Sequence, residues 1–210
     1  MEGALSLTFD TRIAAAAAAQ SPRLMRQEFS RVLRMSVKTM DGKRHRLAFR
    51  EVLYFKLKGA LEAEGVQMNP EDRRALYQVL VLKHAEIGSW RRIGRKLVRA
   101  GEVPVTLDLT KIVRTTHAAL RAYQRGTDLI ERRVDVCSGE PVFRGTRVPV
   151  AQVAQQFRAG VPAMDIAEDY PQLTEQALCY AELCARMGPP PGRPPKPLKI
   201  ARSAVEAADR

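Results

Sequence analysis

Apolar residues recur at helical spacing in two short runs near the start of the chain. Asp10 or Thr11 can cap a first helix through Ala14 to about Ala19, since alanine is the strongest helix former. Ser21-Pro22 starts a second, because proline fits the first helical turn. Between Pro22 and about Arg34, Met25, Phe29, Val32 and Leu33 share one side and can pack on the first helix. Arg23, Gln27, Ser30, Arg31 and Arg34 fall on or beside the opposite stripe, with Arg26 at its edge. Alternation then takes over. Met35 to Met40 and Lys43 to Phe49 flank Asp41-Gly42, a two-residue hairpin signal.

Asn69-Pro70-Glu71 opens a helix through about Ala85, with Leu76, Val79, Leu80 and Leu82 as its apolar side, and Ile87-Gly88-Ser89 breaks it. The stretch Trp90 to Arg99 is the most basic: Arg91, Arg92, Arg95, Lys96 and Arg99. It reads either as an extension of a nucleic-acid footprint or as a solvated edge segment, since cations also protect strand edges. Glu102 to Leu109 reads as a strand. Thr110 to about Arg125 reads as a helix ended by Gly126, with Ile112, Val113, Leu120 and Tyr123 available for packing. Leu129, Ile130 and Val134 look like a strand leading to Ser138–Val150. There Gly139 and Gly145 mark turns around the short strand Val142-Phe143. Pro149 opens a helix from Val150 to Ala159, and Gly160 closes it. A short helix, Ala163 to Asp169, follows Val161-Pro162. Thr174 caps a last helix to about Met187 with Ala177, Leu178, Ala181 and Leu183 inward. The proline-rich run from Gly188 to Ile200 can form neither ladder nor helix and reads as an extended arm, with a short helical end at Ala201 to Ala208.

The pattern predicts a mainly α fold: two small winged-helix or helix-turn-helix-like units with short β-hairpins, joined by a helical connector, plus an extended C-terminal tail. The expected divisions are 1–68, 69–128 (a connector with a short strand, able to carry a dimer interface), 129–187 and 188–210. Charge sharpens this. The 210 residues carry 35 lysines and arginines against 23 acidic groups, a net charge of +12. Residues 1–60 hold 12 basic and 5 acidic groups, whereas residues 134–187 hold 4 and 7. A basic front half points to a polyanion, most simply nucleic acid, because neutralising phosphates releases counterions. A slightly acidic rear module suits a protein partner. Cys137, Cys179 and Cys184 are odd in number with no C-x-x-C, which fits reduced thiols and a cytoplasmic setting. His45, His84 and His117 are isolated, so no metal is expected. No cofactor motif, catalytic grouping or apolar run of membrane-spanning length is present, and neither an enzyme nor a membrane protein is expected.

Two short helices with an arginine and glutamine face, then a basic hairpin, form the plan of a winged helix. Arginine can read guanine, and glutamine adenine, from the major groove. With the stretch from Phe49 through Leu57 to Val66 after the wing, residues 8–68 resemble MerR-like DNA-binding domains, where a helix closes the fold. The resemblance implies duplex contact by Arg23, Arg26, Gln27, Ser30, Arg31 and Arg34, with Lys43, Arg44 and Arg46 on the wing. The pattern G-x-P-V-x-R-G-T-R-V-P-V, then A-G-V-P and Y-P-x-L-T, resembles the small domain known as domain of unknown function four-thirty-three, from Val134 to Ala185. That resemblance implies a VapB-type antitoxin that neutralises a PIN-like ribonuclease toxin and binds double-stranded operator DNA, as a homodimer within a larger toxin–antitoxin complex. Arg144 and Arg147 on the module, and Arg193, Lys196, Lys199 and Arg202 on the tail, are the toxin-binding candidates it points to. A stand-alone winged-helix regulator with a dimerising or ligand-sensing rear module, and an adaptor for RNA or ribosomes, are the alternatives.

Overall fold

Asp10 sets the first helix. Its carboxylate accepts from the backbone N–H groups of Arg12 (2.8 Å) and Ile13 (3.0 Å) and caps α1, Thr11–Ala18. The computed structural model describes residues 8–35, 45–102, 104–134 and 136–188. Every residue from Ile13 to Ala18 is buried, because a rod of methyl groups lets neighbours close in from all sides. The alanine run is thus a central post. It touches α2 (Pro22–Gln27), α3 (Phe49–Ala63), α5 (Thr110–Asp128) and α8 (Glu175–Met187).

The expected second helix is present in two registers. Helix α2 passes at Glu28–Val32 into a π-helical turn, so the chain is wider there than an α-helix. Met25, Phe29 and Val32 are buried, as their spacing requires. Strand β1 (Thr8–Phe9) pairs antiparallel with β2 (Leu47–Ala48), so the second arm of the expected hairpin finds its partner at residues 8–9 and not in the stretch before Asp41-Gly42. Residues 36–44 of that hairpin, including Lys43 and Arg44, lie outside the described residues.

Helix α4 (Pro70–Leu80) is shorter than its apolar periodicity predicts. Lys83 takes a left-handed φ of 64°, and Leu82, counted inward from sequence, is exposed. The chain turns there into a four-stranded antiparallel sheet: β3 (Glu86–Ile87), β4 (Trp90–Ile93), β5 (Lys96–Arg99) and β6 (Val105–Asp108), in sequence order. Only the last of these was expected. Trp90 and Leu97 are fully buried and attach one face of the sheet to the core.

Helix α5 does not stop at Gly126. It continues to Asp128, and Gly126 serves a different purpose. The Tyr180 ring of α8 lies so close that a Cβ at this position would overlap it. The glycine is an approach point between helices, not a helix end.

Strand β7 (Ile130–Arg132) pairs antiparallel with β8 (Pro141–Phe143), and α6 (Val150–Arg158), α7 (Ala163–Asp169) and α8 follow within a residue or two of the boundaries expected. The molecule is therefore mainly helical with small antiparallel sheets. Two apolar clusters form, one over residues 9–120 and one over 143–181, and Tyr123 packs against both.

Candidate nucleic-acid interface

Helix α1 ends at Ala19, whose left-handed φ of 54° folds the chain back within three residues. Ser21 Oγ then accepts from Arg23 N (3.3 Å) and Pro22 opens α2. A helix, a tight turn and a second helix result. Arg23, Arg26 and Arg31 are exposed on the second one and its π-helical continuation, whereas Arg34, expected on the same helix, is exposed just past its end at a left-handed φ of 55°; none of their side chains has a hydrogen-bond or ion-pair partner among the described residues. Gln27 is half-buried beside them. Ser30 is exposed, but its hydroxyl is spent on the helix itself, donating to Arg26 O (3.0 Å). Arg46 is also committed: its guanidinium donates to Thr8 O (2.7 Å) and Oγ1 (3.0 Å) and clamps β1 to the residues just ahead of β2.

The one carboxylate in this helical stretch is turned away from the arginines. Glu28 is 6% exposed; it accepts from Tyr54 Oη (2.8 Å) and is ion-paired with Arg73 Nη1 of α4 (2.8 Å). Burial, then the charge of Glu28, pushes the Tyr54 phenol well above its ordinary range. A second buried carboxylate, Glu51, fixes the start of α3. It accepts from Ala48 N (2.7 Å) and Tyr77 Oη (3.0 Å) and faces His45 Nε2 at 3.0 Å. The Tyr77 phenol is likewise raised, by burial first and by Glu51 second. Phe29 packs edge-on against His45 and Phe55 between the two networks. Sequence periodicity finds Phe29 but not Glu28 or Arg73. Their signal is a lone acid on an otherwise basic helix, and its meaning depends on a residue 45 positions away.

The other predicted residues lie on the second cluster. Arg144 and Arg147 are both exposed on the turn from β8 to α6. That turn is closed by Thr146, which donates through N (3.0 Å) and Oγ1 (2.8 Å) to Phe143 O, and by Phe143 N to Val148 O (3.1 Å). Gly145, at φ 74°, also donates to Glu131 Oε1 (3.3 Å). The two arginines are thus presented together on a rigid turn, apart from the α2 face. Arg193, Lys196, Lys199 and Arg202 lie outside the described residues. No group of three or more metal-binding side chains, and no helix long and apolar enough to cross a membrane, occurs among the described residues.

No solved structure matches this chain. An "Uncharacterized protein y4eO" of Sinorhizobium fredii (strain NBRC 101917 / NGR234) is 32% identical over 89 residues, which are 42% of this chain and 40% of that protein, so the chain spans about two-fifths of its relative. Residues 130–181, from β7 to the middle of α8, match the family model described as "Protein of unknown function (DUF433)".

Proposed function

We propose that this chain is the antitoxin of a type II toxin–antitoxin pair. On this reading α1, the turn and α2 form a MerR-like winged helix-turn-helix that grips operator DNA in the cytoplasm as a dimer. The module over residues 129–187, with the tail behind it, holds and blocks a PIN-like ribonuclease. The observation that carries the reading is the α2 face: Arg23, Arg26 and Arg31, with Arg34 just past the helix end, are exposed guanidinium groups without side-chain partners among the described residues, and the only acid of that helical stretch is buried and neutralised. Such a face is costly to keep against self-repulsion unless a polyanion covers it. The DUF433 match and the acidic balance of residues 134–187 support a protein partner for the rear module.

The test has two arms. Arg26→Gln with Arg31→Gln is expected to weaken binding of the chain's own upstream duplex by at least about tenfold at low salt, read by fluorescence anisotropy. Co-expression with the neighbouring gene is expected to yield a complex whose ribonuclease activity appears only when the partner is freed. Duplex binding without any companion protein leaves a stand-alone regulator instead. A chain that ignores duplexes even at low ionic strength ends the DNA-binding reading.

A further inference from the structure

The basic stretch Trp90 to Arg99 folds into the hairpin β4–β5, and its place in the sheet decides between the two readings its sequence allows. Lysine and arginine protect edge strands from pairing with other chains. Neither β4 nor β5 is an edge: β3 covers one side and β6 the other, with Glu86 opposite Arg91 and Lys96 opposite Asp108. Edge protection therefore does not account for these cations.

Alternation sorts the hairpin into two faces. Trp90 and Leu97 point into the core. Arg91, Ile93 and Lys96 point out, with Arg95 in the turn after Gly94, whose φ is 58°. Arg91, Arg95 and Lys96 are exposed, and Ile93 is 55% exposed among them. Arg91 shares an open ion pair with Glu86 (3.2 Å), whereas the side chains of Arg95 and Lys96 make no hydrogen bond or ion pair among the described residues. The nearby Asp108 carboxylate already accepts from Thr110 N (2.7 Å), and the Thr110 hydroxyl first, then that backbone bond, with the charges of Lys96 and Arg95 behind them, hold its pKa below the ordinary value.

Two consecutive residues of α4 join this hairpin to the buried side of the helical stretch that carries the α2 arginines. Arg73 pairs with Glu28. Asp72 accepts from Arg99 Nη2 of β5 (2.6 Å) and from Ser89 Oγ (2.8 Å), and Arg99 lies over the Trp90 ring. Helix α4 is thus a splint with one surface on each unit.

We infer that the β4–β5 hairpin is a second duplex-DNA contact, in which Arg91, Arg95 and Lys96 bind backbone phosphates around the apolar tip at Ile93. The inference rests on the proposed DNA-binding role. Phosphate contacts position a protein without reading bases, which suits a hairpin tip with no amide side chain.

Duplex binding measured across a salt series tests it, using the full chain with Arg95→Gln and Lys96→Gln together, Arg95→Lys alone, and the α2 pair Arg26→Gln and Arg31→Gln. The hairpin pair is expected to cost about tenfold in affinity near 0.1 M salt and to flatten the dependence of log K on log salt by roughly 1.8, about 0.9 per lost phosphate contact. Arg95→Lys keeps the charge and is expected to behave as wild type. All three are surface changes, and unchanged melting temperatures confirm folding. An unchanged slope with affinity within about twofold of wild type overturns the inference, even if retention on heparin falls. If the hairpin pair abolishes binding while the α2 pair does not, the hairpin stands and the α2 assignment fails. A wild-type chain with no affinity for duplexes sinks both.

Discussion

The N-terminal body and the C-terminal module solve the problem of buried polarity differently. All three buried polar side chains among the described residues, Glu28, Glu51 and Thr116, belong to the body. Each carboxylate is held by a tyrosine hydroxyl, one with an arginine and the other with a backbone N–H. The module's core, from Phe143 to Ala181, is apolar throughout, apart from the Tyr180 ring at its seam with α5. Most of its polar groups stay at caps and turns, and Gln156 Oε1 in α6 is buried without a hydrogen-bond partner among the described residues. A buried charge network fixes one arrangement of helices at a desolvation cost, whereas an apolar core with strong local stops needs no such specification. The body therefore owes its shape to distant partners, and the module owes its shape to neighbours in sequence.

High pH should break the comparison most completely. Burial holds the Tyr54 and Tyr77 phenols protonated in the fold, above their ordinary value of 10.0. Their contribution is fully present below the unfolded value and is lost as pH rises past about 10, because the unfolded chain alone ionises there. Phenolate absorbance and helical dichroism are expected to change together, in one transition led by the body. Gradual ionisation with intact helices would show the networks to be open to water. Next comes the seam. Gly126→Ala forces a methyl group into the Tyr180 ring and should cost about 3 kcal/mol in denaturant unfolding, by overpacking. A loss confined to the module would mean that the two units unfold separately. Arg73→Ala leaves Glu28 buried with only the tyrosine. Because the arginine is partly exposed, about 2 kcal/mol is expected rather than the larger cost of a fully buried pair. Removing the module's Thr174 cap, by Thr174→Ala, should cost about 1 kcal/mol, and restoring it with Ser should recover most of that.

The same contrast governs what the sequence makes legible. Helices α6, α7 and α8 fall nearly where Pro149, Gly160, Pro162 and Thr174 place them, because each stop acts within a turn of the residue that causes it. In the body, Gly126 carries the same local signal as Gly160. Its meaning is set by Tyr180, 54 residues on, so a helix end and a helix contact look alike. The sheet over Glu86–Asp108 had a local sign, Gly94-Arg95 between two alternating runs, which the density of arginine obscures. The exposed α2 arginines were visible from spacing alone. That Arg46 and Ser30 are already occupied was not, since β1 and the last turn of α2 supply their partners.

Arg12, in the first turn of α1, donates to Met187 O (3.3 Å) and Gly188 O (2.8 Å) at the end of α8. The end of α8 is therefore moored to the helix just ahead of the arginine-bearing one. On the proposed reading, a polypeptide held at that end and a duplex held on the α2 face share one neighbourhood.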